Sequence, residues 1–393
     1  LMETFLGEEP IPYGLNNLLF RFPPKPSGGP TPQNDDVVFK HPSETRPLAL
    51  KVSDNKFIAS AINRSISPVV VKHANQLQKR FIFGRQMLQN NVDIDFHGRA
   101  DTLTYYGQNS VNDPGWEFNS SPLDLQELGK ISKLPILAFF DYAAAFPSVA
   151  HAWMFAVLLI LKLPKGLLNA IETLYEGNGG YCCIGGVAQF MFDVLSGVLQ
   201  GCPFSGTLFV ILMDPIMFLF EKYICRPGFG QVRACADDVG CTLKQLWDLK
   251  RIYYIFEQIR KASGLTLKPN KCVIILTTHV ASEGNCEAVR AWLRSELPNW
   301  SNFIISNQGK YLGFFMGPAA GKMQWLAPVA KFKERCDKIY RDKTPHWLTL
   351  REYASKAVSV LLFVGQLCKP PSELRALEAQ SVCKVLGFAT NAL

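Results

Sequence analysis

Two adjacent aspartates, Asp237 and Asp238, lie inside an apolar stretch that has strand character on both sides. Ordinary core packing places no charge in such a stretch, and burying two unpaired carboxylates side by side is costly unless a cation neutralises them. A tight turn between two short strands, with the aspartates at its tip, would direct both carboxylates toward one divalent ion. Taken alone, the stretch is explained equally well by a solvated turn on the surface.

A third carboxylate, Asp141, stands in a similar setting upstream. Residues 134–140 form a buried-strand pattern that ends at this aspartate, and small residues follow it. One acid at the end of a strand and two at a hairpin tip predict a cluster of three carboxylates. Such a cluster suits a pair of Mg²⁺ ions ~4 Å apart, one activating an attacking oxygen and the other stabilising a leaving phosphate.

A glycine-rich loop, residues 196–206, lies between these segments and runs into a long apolar helix. Residues 141–149, the Gln-Gly-Cys-Pro-x-Ser loop and the Ala-Asp-Asp hairpin, in this order, resemble motifs A, B and C of reverse transcriptases, specifically the non-LTR retrotransposon (LINE-type) branch. The resemblance covers nearly the whole chain. It implies an α+β right-hand polymerase fold, with fingers at 1–130, a ferredoxin-like palm at 131–320 and a helical thumb at 321–393.

The resemblance also implies roles for single residues of the palm. Two Mg²⁺ ions, with Mn²⁺ as an alternative, would be held by Asp141, Asp237, Asp238 and the backbone carbonyl of Tyr142. Phe146 would exclude the 2′-hydroxyl of an incoming ribonucleotide, and Gln200 and Gly201 would line the templating base pair. Lys271, in a segment that resembles motif D, would protonate the pyrophosphate leaving group. A core ring for Phe146 and an exposed surface cation for Lys271 are the structural alternatives.

Basic residues outside the palm are candidates for binding the triphosphate and the nucleic acid. By resemblance, Lys25 and Arg46 of the fingers would bind the triphosphate, and Arg85 would contact nucleic acid. Lys331, Arg335 and Lys338 fall on one face of a predicted helix, opposite an apolar face formed by Phe332, Cys336 and Ile339. This pattern predicts a thumb helix along the phosphates of a duplex, although a solvated surface helix has the same pattern.

Composition sets limits on the class of protein. The chain has 393 residues, is 48% hydrophobic and carries a formal charge of +8, which fits a globular protein with a polyanion-binding surface. Eleven cysteines without zinc-site spacing indicate reduced thiols in an intracellular protein. Separately from the cysteines, we expect a location in the nucleus or in a ribonucleoprotein particle. No apolar run reaches the ~20 residues of a membrane span. The first residue is Leu, so we expect part of a longer retroelement polyprotein.

The predicted function is RNA-directed DNA polymerisation, with an RNA template, a DNA primer and dNTP as partners. Some positions differ from the motifs: Leu199 replaces a common arginine, Cys235 an aromatic residue and Ala144 a lysine. These differences favour the alternative of a decayed retroelement remnant that binds RNA or RNA/DNA hybrid without catalysis. An RNA-dependent RNA polymerase is a second alternative, against which Phe146 argues. We also predict an irregular polar insertion at about 96–129.

Overall fold

The computed structural model describes residues 9–12, 14–23, 45–108, 121–124 and 127–389. The strands are β1 (Leu18–Arg21), β2 (Leu48–Lys51), β3 (Ile136–Phe140), β4 (Gly179–Ile184), β5 (Val187–Asp193), β6 (Gly230–Cys235), β7 (Asp238–Leu243), β8 (Val273–Leu276), β9 (Ile304–Ser306), β10 (Gly309–Tyr311) and β11 (Phe314–Met316). The helices are α1 (Ser53–His73), α2 (Leu88–Gln108), α3 (Leu128–Ile131), α4 (Ala145–Ser148), α5 (His151–Ile160), α6 (Lys165–Tyr175), α7 (Ser205–Phe220), α8 (Leu249–Ser263), α9 (Glu283–Glu296), α10 (Ala320–Met323), α11 (Leu326–Asp342), α12 (His346–Glu352), α13 (Ser359–Gly365) and α14 (Leu374–Leu386).

A five-stranded sheet forms the centre of the molecule, in the order β6-β7-β3-β8-β9. β3 is buried along its whole length and pairs antiparallel with β7 on one side and β8 on the other. Helices connect β3 to β6 and β7 to β8, while β6 and β7 form a hairpin, so the chain follows a βαββαβ path. This topology confirms the predicted ferredoxin-like palm.

Helices α7 and α8 pack on one face of this sheet. α7 is buried at most of its positions, as its nearly continuous apolar sequence requires. α8 is amphipathic and buries one side, where the ring of Phe256 lies 4.8 Å from the ring of Phe140 on β3. These contacts hold the end of β3, where Asp141 follows, against a rigid layer.

A four-stranded sheet, in the order β2-β1-β4-β5, joins two distant parts of the sequence. β1 and β2 pair antiparallel, and β1 also pairs in parallel with β4. The predicted limit between fingers and palm near residue 130 therefore separates strands that share one sheet. α1 follows β2 directly, and its buried residues Asn55, Ala59, Ile66 and Val70 recur at helical spacing.

Helix α2 corrects one prediction. Residues 96–108, expected to be irregular, continue the helix that begins at Leu88, and residues 109–120 of the predicted insertion lie outside the described part of the chain. The helix is stabilised by docking on the sheet: Ile94 is fully buried, and the Tyr106 hydroxyl donates to the Thr278 carbonyl at 2.9 Å. Gly98 gives room for Leu137 of β3, since a Cβ there would lie 2.6 Å from that side chain.

The C-terminal helices α11–α14 share a hydrophobic core of their own, which includes Trp325, Phe332, Leu361, Val364 and Val385. Phe332, Cys336 and Ile339 are buried as the helical pattern predicts. The limits of a thumb at 321–393 remain a prediction.

All eleven cysteines are free thiols, and six of them are buried. In the described ranges, no helix has the length and apolar character needed to cross a membrane.

Candidate active site

The hairpin of β6 and β7 carries the paired aspartates. Cys235 pairs with Asp238, so Ala236 and Asp237 form a two-residue turn, with Ala236 in the left-handed region at φ 57°. Asp237 is half-buried, whereas Asp238 is exposed at the first position of β7. The turn thus places two carboxylates at the end of the sheet.

Asp141 lies beside this hairpin because of the register of β3. Phe140, the last residue of β3, pairs with Val239, so the next positions along the two strands are Asp141 and Asp238. The backbone amide of Asp141 donates to the Sγ of Cys272 at 3.4 Å, which fixes its backbone from the side of β8. The structure therefore brings the three predicted carboxylates to one end of the central strands of the sheet.

The electrostatics of the cluster are those of an excess of negative charge. Burial raises the pKa of Asp237, and the charge of Asp141 raises it further, while Arg46 and Arg80 act in the opposite direction. For Asp238, desolvation of the carboxylate by the surrounding protein and, next, the negative charges of Asp237 and Asp141 together raise the pKa to about 6. Carboxylates that repel one another in this way are stabilised by a bound cation.

The donor set suits a divalent ion, because carboxylate and carbonyl oxygens are the ligands that Mg²⁺ prefers. Within the described ranges, however, no three His, Cys, Asp or Glu side chains already stand at metal-ligand spacing. The Asp141 carbonyl accepts from the Lys268 amide at 2.8 Å, and the Ala143 amide donates to Thr266 at 2.7 Å. Because carbonyls alternate in an extended chain, the Tyr142 carbonyl points to the opposite edge, the side of the β6–β7 hairpin.

Gln78, in the segment between α1 and α2, binds the backbone of the β6–β7 turn. Its side chain is almost fully buried, its Oε1 accepts from the Ala236 amide at 2.7 Å, and its Nε2 donates to the Ala236 carbonyl at 3.2 Å. The same Oε1 accepts from the Arg80 amide at 3.0 Å. Sequence analysis did not assign this residue; the only signal was a glutamine in the Gln-x-x-Phe-Ile-x-Gly-Arg segment.

Tyr311 supports the hairpin from below. Its ring stacks on Phe139 at 5.0 Å, and its hydroxyl donates to the Arg233 carbonyl at 3.0 Å and lies 3.4 Å from the Asp238 carbonyl. This buried ring packs beneath the hairpin on which Cys235 replaces an aromatic residue. Tyr311 ends β10, which forms a hairpin with β11, so its hydroxyl connects this hairpin to the backbone of Asp238.

Lys271 shares a cleft of about 320 Å³ with Asp141 and Asp238. It is exposed at the end of a single 3₁₀ turn, Pro269–Lys271, whose start is anchored by the hydrogen bond of Lys268 to Asp141. The predicted general acid therefore lies in the cleft of the carboxylates.

Phe146 follows Asp141 on α4 and belongs to a group of three rings. It stacks on Phe209 with centroids 4.2 Å apart and meets the edge of Phe81 at 6.2 Å. Its side chain is half-buried. One face of the ring is thus packed against the core, an arrangement compatible with either exclusion of a 2′-hydroxyl or a core role.

Gln200 and Gly201 lie where the glycine-rich loop meets β2. The Gln200 carbonyl accepts from the Ala49 amide at 2.8 Å. Gly201 has φ 111°, and a Cβ there would lie 2.6 Å from the Ala49 carbonyl oxygen, so only glycine permits this approach. Leu199 is buried, which explains how an apolar residue is accommodated in place of an arginine.

The chain also matches known proteins. The family described as "Reverse transcriptase (RNA-dependent DNA polymerase)" matches residues 31–316. The chain belongs to the reverse transcriptase family.

Its curated relatives are retrotransposon proteins. The Pol polyprotein of the type-2 retrotransposable element R2DM of Drosophila melanogaster is 33% identical over 142 residues, which cover 35% of this chain and 13% of that protein. The transposon TX1 149 kDa protein of Xenopus laevis is 22% identical over 295 residues, which cover 73% of this chain and 18% of that protein. This chain thus spans less than a fifth of either relative, and both matches agree with the predicted resemblance to retrotransposon reverse transcriptases.

Solved telomerase structures from Candida tropicalis share the fold of this reverse transcriptase. The apo form has a TM-score of 0.50 at 11% identity, covering 96% of this chain and 63% of that chain. The complex with a TWJ fragment of telomeric RNA has a TM-score of 0.52 at 11% identity, covering 95% and 56%. The predicted right-hand polymerase fold is confirmed.

The predicted cations of the reverse transcriptase have different surroundings. Arg46 is exposed and acts on the pKa of Asp237, so it lies on the side of the carboxylates. Lys25 lies outside the described residues. The guanidinium of Arg85 donates to the carbonyls of Ala74, Asn75 and Gln78, at 2.7, 2.6 and 2.8 Å, which indicates a structural role in the fingers.

Two of the three predicted thumb cations are open to solvent. Lys331 and Lys338 are exposed on α11. Arg335, by contrast, donates to the backbone carbonyl of Lys356. The structure therefore favours the two lysines over Arg335 as phosphate contacts.

Proposed function

We propose that this chain is the polymerase domain of a non-LTR retroelement that extends a DNA primer on an RNA template. The observation that carries the proposal is the convergence of Asp141, Asp237 and Asp238 at one end of the central sheet, where desolvation and mutual repulsion raise the pKa values of the two hairpin carboxylates. Reverse transcriptases as a family use divalent metal ions, and these oxygens fit that chemistry.

In the proposed reaction, the primer 3′ oxygen forms a bond to the α-phosphorus of dNTP while the bond from that phosphorus to pyrophosphate breaks. Two Mg²⁺ ions, or Mn²⁺ ions, would supply activation of the attacking oxygen and charge stabilisation of the leaving group when bound. Asp141, Asp237, Asp238 and the Tyr142 carbonyl would hold them. Lys271 would donate a proton to the departing pyrophosphate.

The substrates would be arranged around this edge. Arg46 and Lys25 would bind the triphosphate, Phe146 would face the sugar, and Gln200 and Gly201 would border the templating base pair. We propose an intracellular location, in the nucleus or a ribonucleoprotein particle, which the eleven free thiols support. The full protein would be a longer polyprotein, since the matched relatives are much longer than this chain.

Primer extension tests the proposal. Purified protein should extend oligo(dT) on poly(rA) with dTTP and Mg²⁺, and Asp237→Asn should lower the rate at least ~10³-fold because a metal-binding charge is lost. Asp54→Asn, an exposed aspartate in the first turn of α1, is the matched control and should keep wild-type activity. Hybrid affinity should be nearly unchanged in both variants, because phosphate contacts dominate it.

Three outcomes have distinct meanings. A wild-type protein that binds hybrid but incorporates no nucleotide would establish the decayed remnant instead. Asp237→Asn retaining a tenth of the activity would refute the metal assignment. Preferential incorporation of ribonucleotides would identify an RNA-making enzyme.

A further inference from the structure

The hairpin of β4 and β5 exposes apolar side chains that the proposed active site does not use. Every residue of β5 is exposed, although its sequence, Val-Ala-Gln-Phe-Met-Phe-Asp, is largely apolar. Phe190 is 56% and Phe192 45% exposed. Exposed apolar side chains concentrated on one element are typical of a surface that binds a ligand or a macromolecular partner.

A β-bulge separates these two rings. Gly180 pairs with Phe192 and Tyr181 pairs with Phe190, so Met191 is an extra residue on β5. Neighbouring positions of β4 face opposite sides of the sheet, and their partners Phe192 and Phe190 do so as well. Phe190 contacts the Tyr181 ring at 5.6 Å on one face, whereas Phe192 contacts Phe20 at 5.5 Å on the other.

Phe20, Phe22 and Phe192 form what we call the aromatic platform. Phe20 is buried between strands, lies 6.0 Å from the Phe22 ring with only 20° between their planes, and supports both neighbours. Phe22 and Phe192 are each 45% exposed. Gly180 makes the arrangement possible, because a Cβ there would lie 2.9 Å from the ring of Phe20. The platform thus presents partly free ring surface on a rigid sheet.

The platform continues into the site that the proposed function uses. The lining of a cleft of about 370 Å³ includes Phe20 and Phe192 of the platform together with Pro47 and Gln200. Gln200 is the residue proposed to border the templating base pair. A template strand that leaves this base pair along the cleft would reach the platform next.

We infer that the aromatic platform binds the unpaired bases of the single-stranded RNA template ahead of the active site, an inference that rests on the proposed function. Every base has a flat face, so stacking on Phe192 and Phe22 would hold a template irrespective of its sequence. Asp193, which lines the same cleft, disfavours a phosphate there. The bases, rather than the backbone, therefore face the rings.

The test compares two hybrids that differ only in unpaired template. One is a blunt RNA/DNA hybrid, and the other adds five unpaired RNA nucleotides at the template 5′ end; fluorescence anisotropy gives both affinities. For the wild type, the overhang should tighten binding about tenfold or more, the range expected for stacked bases. Phe192→Leu, which keeps apolar bulk but removes the ring, should lose most of this gain and leave the blunt hybrid unchanged.

Two further variants separate stacking from packing. Phe192→Trp should keep the overhang gain, because it retains a ring. Phe190→Leu, on the opposite face of the same strand, should also keep it. Melting temperatures of all variants report whether any loss comes from unfolding.

The result that overturns the inference is an overhang gain that is absent in the wild type, persists in Phe192→Leu, or falls equally in Phe190→Leu. The last outcome would favour a general apolar surface for a protein partner. Primer extension on the same preparations keeps the two proposals distinct: a wild type that shows the Phe192-dependent gain without extending primer refutes polymerisation alone.

Discussion

A substitution at Phe146 tests whether this one ring determines the preference for deoxyribonucleotides over ribonucleotides. The ring is backed by Phe209 at 4.2 Å and is half-buried, so its outer edge has a fixed position. We expect Phe146→Val to raise ribonucleotide incorporation at least ~10-fold, because relieving steric overlap with one hydroxyl amounts to a few kcal/mol. Deoxynucleotide use should stay within about tenfold of the wild type.

Phe209→Leu is the control for this prediction, since Phe209 is fully buried beneath the Phe146 ring. It should lower the melting temperature without favouring ribonucleotides, because the Phe146 ring remains. If Phe146→Val instead depresses both nucleotide classes together along with the melting temperature, Phe146 is a core residue.

Lys51 is a buried cation whose charge reduces stability. Its ammonium donates to the Leu174 carbonyl at 2.7 Å, and burial lowers its pKa to about 8 from an ordinary 10.5. Between these values the unfolded chain binds more protons than the folded one, so the free energy of unfolding should rise with pH from 8 to 10.5, by on the order of 3 kcal/mol. Below pH 8 the penalty is fully present.

Urea unfolding across this pH range gives the measurement. Lys51→Met should be more stable than the wild type at pH 7 by roughly 2 kcal/mol, after the cost of the lost hydrogen bond to the Leu174 carbonyl, and by pH 10.5 the wild type should be the more stable protein by roughly 1 kcal/mol. Lys72→Met, an exposed lysine of α1, should leave the pH profile unchanged. Parallel profiles of wild type and Lys51→Met would show that Lys51 keeps its ordinary pKa.

At the scale of elements, the β6–β7 hairpin is held by a segment of the fingers. Gln78 pairs with both backbone groups of Ala236, one residue before Asp237. Gln78→Met should lower kcat about tenfold or more and raise the Mg²⁺ concentration needed for half-maximal rate, because the turn loses its fixed position. Hybrid affinity should not change, as no phosphate contact is removed.

Gln76→Met is the matched control for the hairpin, because Gln76 is exposed two residues away. A merely structural role of Gln78 predicts a lower melting temperature with kcat and the Mg²⁺ requirement intact. That result would remove Gln78 from the residues that position the carboxylates.

Helix α11 makes a prediction about salt. Lys331 and Lys338 are exposed, while Arg335 donates to the Lys356 carbonyl. Changing all three to Ala should weaken binding of every hybrid sequence and reduce the slope of log affinity against log salt by about 2, roughly 1 for each free lysine. Lys165→Ala, Lys222→Ala and Lys261→Ala combined, three exposed lysines outside α11, remove equal charge as a control. An unchanged slope would make α11 an ordinary solvated helix.

Local patterns explain which elements were predictable. β3 is an apolar run that ends at a carboxylate, the β6–β7 hairpin is an apolar run interrupted by two carboxylates, and α11 has a clear two-sided pattern, so each can be inferred from a few neighbouring residues. α2 has no such pattern, and it is stabilised by docking on the sheet. The residues that it contacts are distant in sequence, so a short stretch of neighbouring residues does not reveal them.

At the scale of the whole molecule, the three carboxylates could be predicted as a set because their motifs occur in order. The side chains that support them could not be predicted: Gln78, Tyr311 and Cys272 come from three separate parts of the chain, and only the fold brings them to the backbone of the strand ends and the turn that carry the carboxylates. The aromatic platform has the same origin, since Phe20 and Phe192 are neighbours only after β1 pairs with β4. Long-range pairing limits what local reasoning can find.

The parallel pairing of Leu18 with Gly180 has a consequence for synthesis. β1 leaves the ribosome before its partner β4, which at ~5–20 residues per second follows roughly 10 to 30 s later. During this interval the early strand has only β2 as a neighbour, and its other edge is open to pairing with a second nascent chain. Expression at low temperature with a chaperone present, and of fragments that retain residue 18 onward, should therefore give the most monomeric protein.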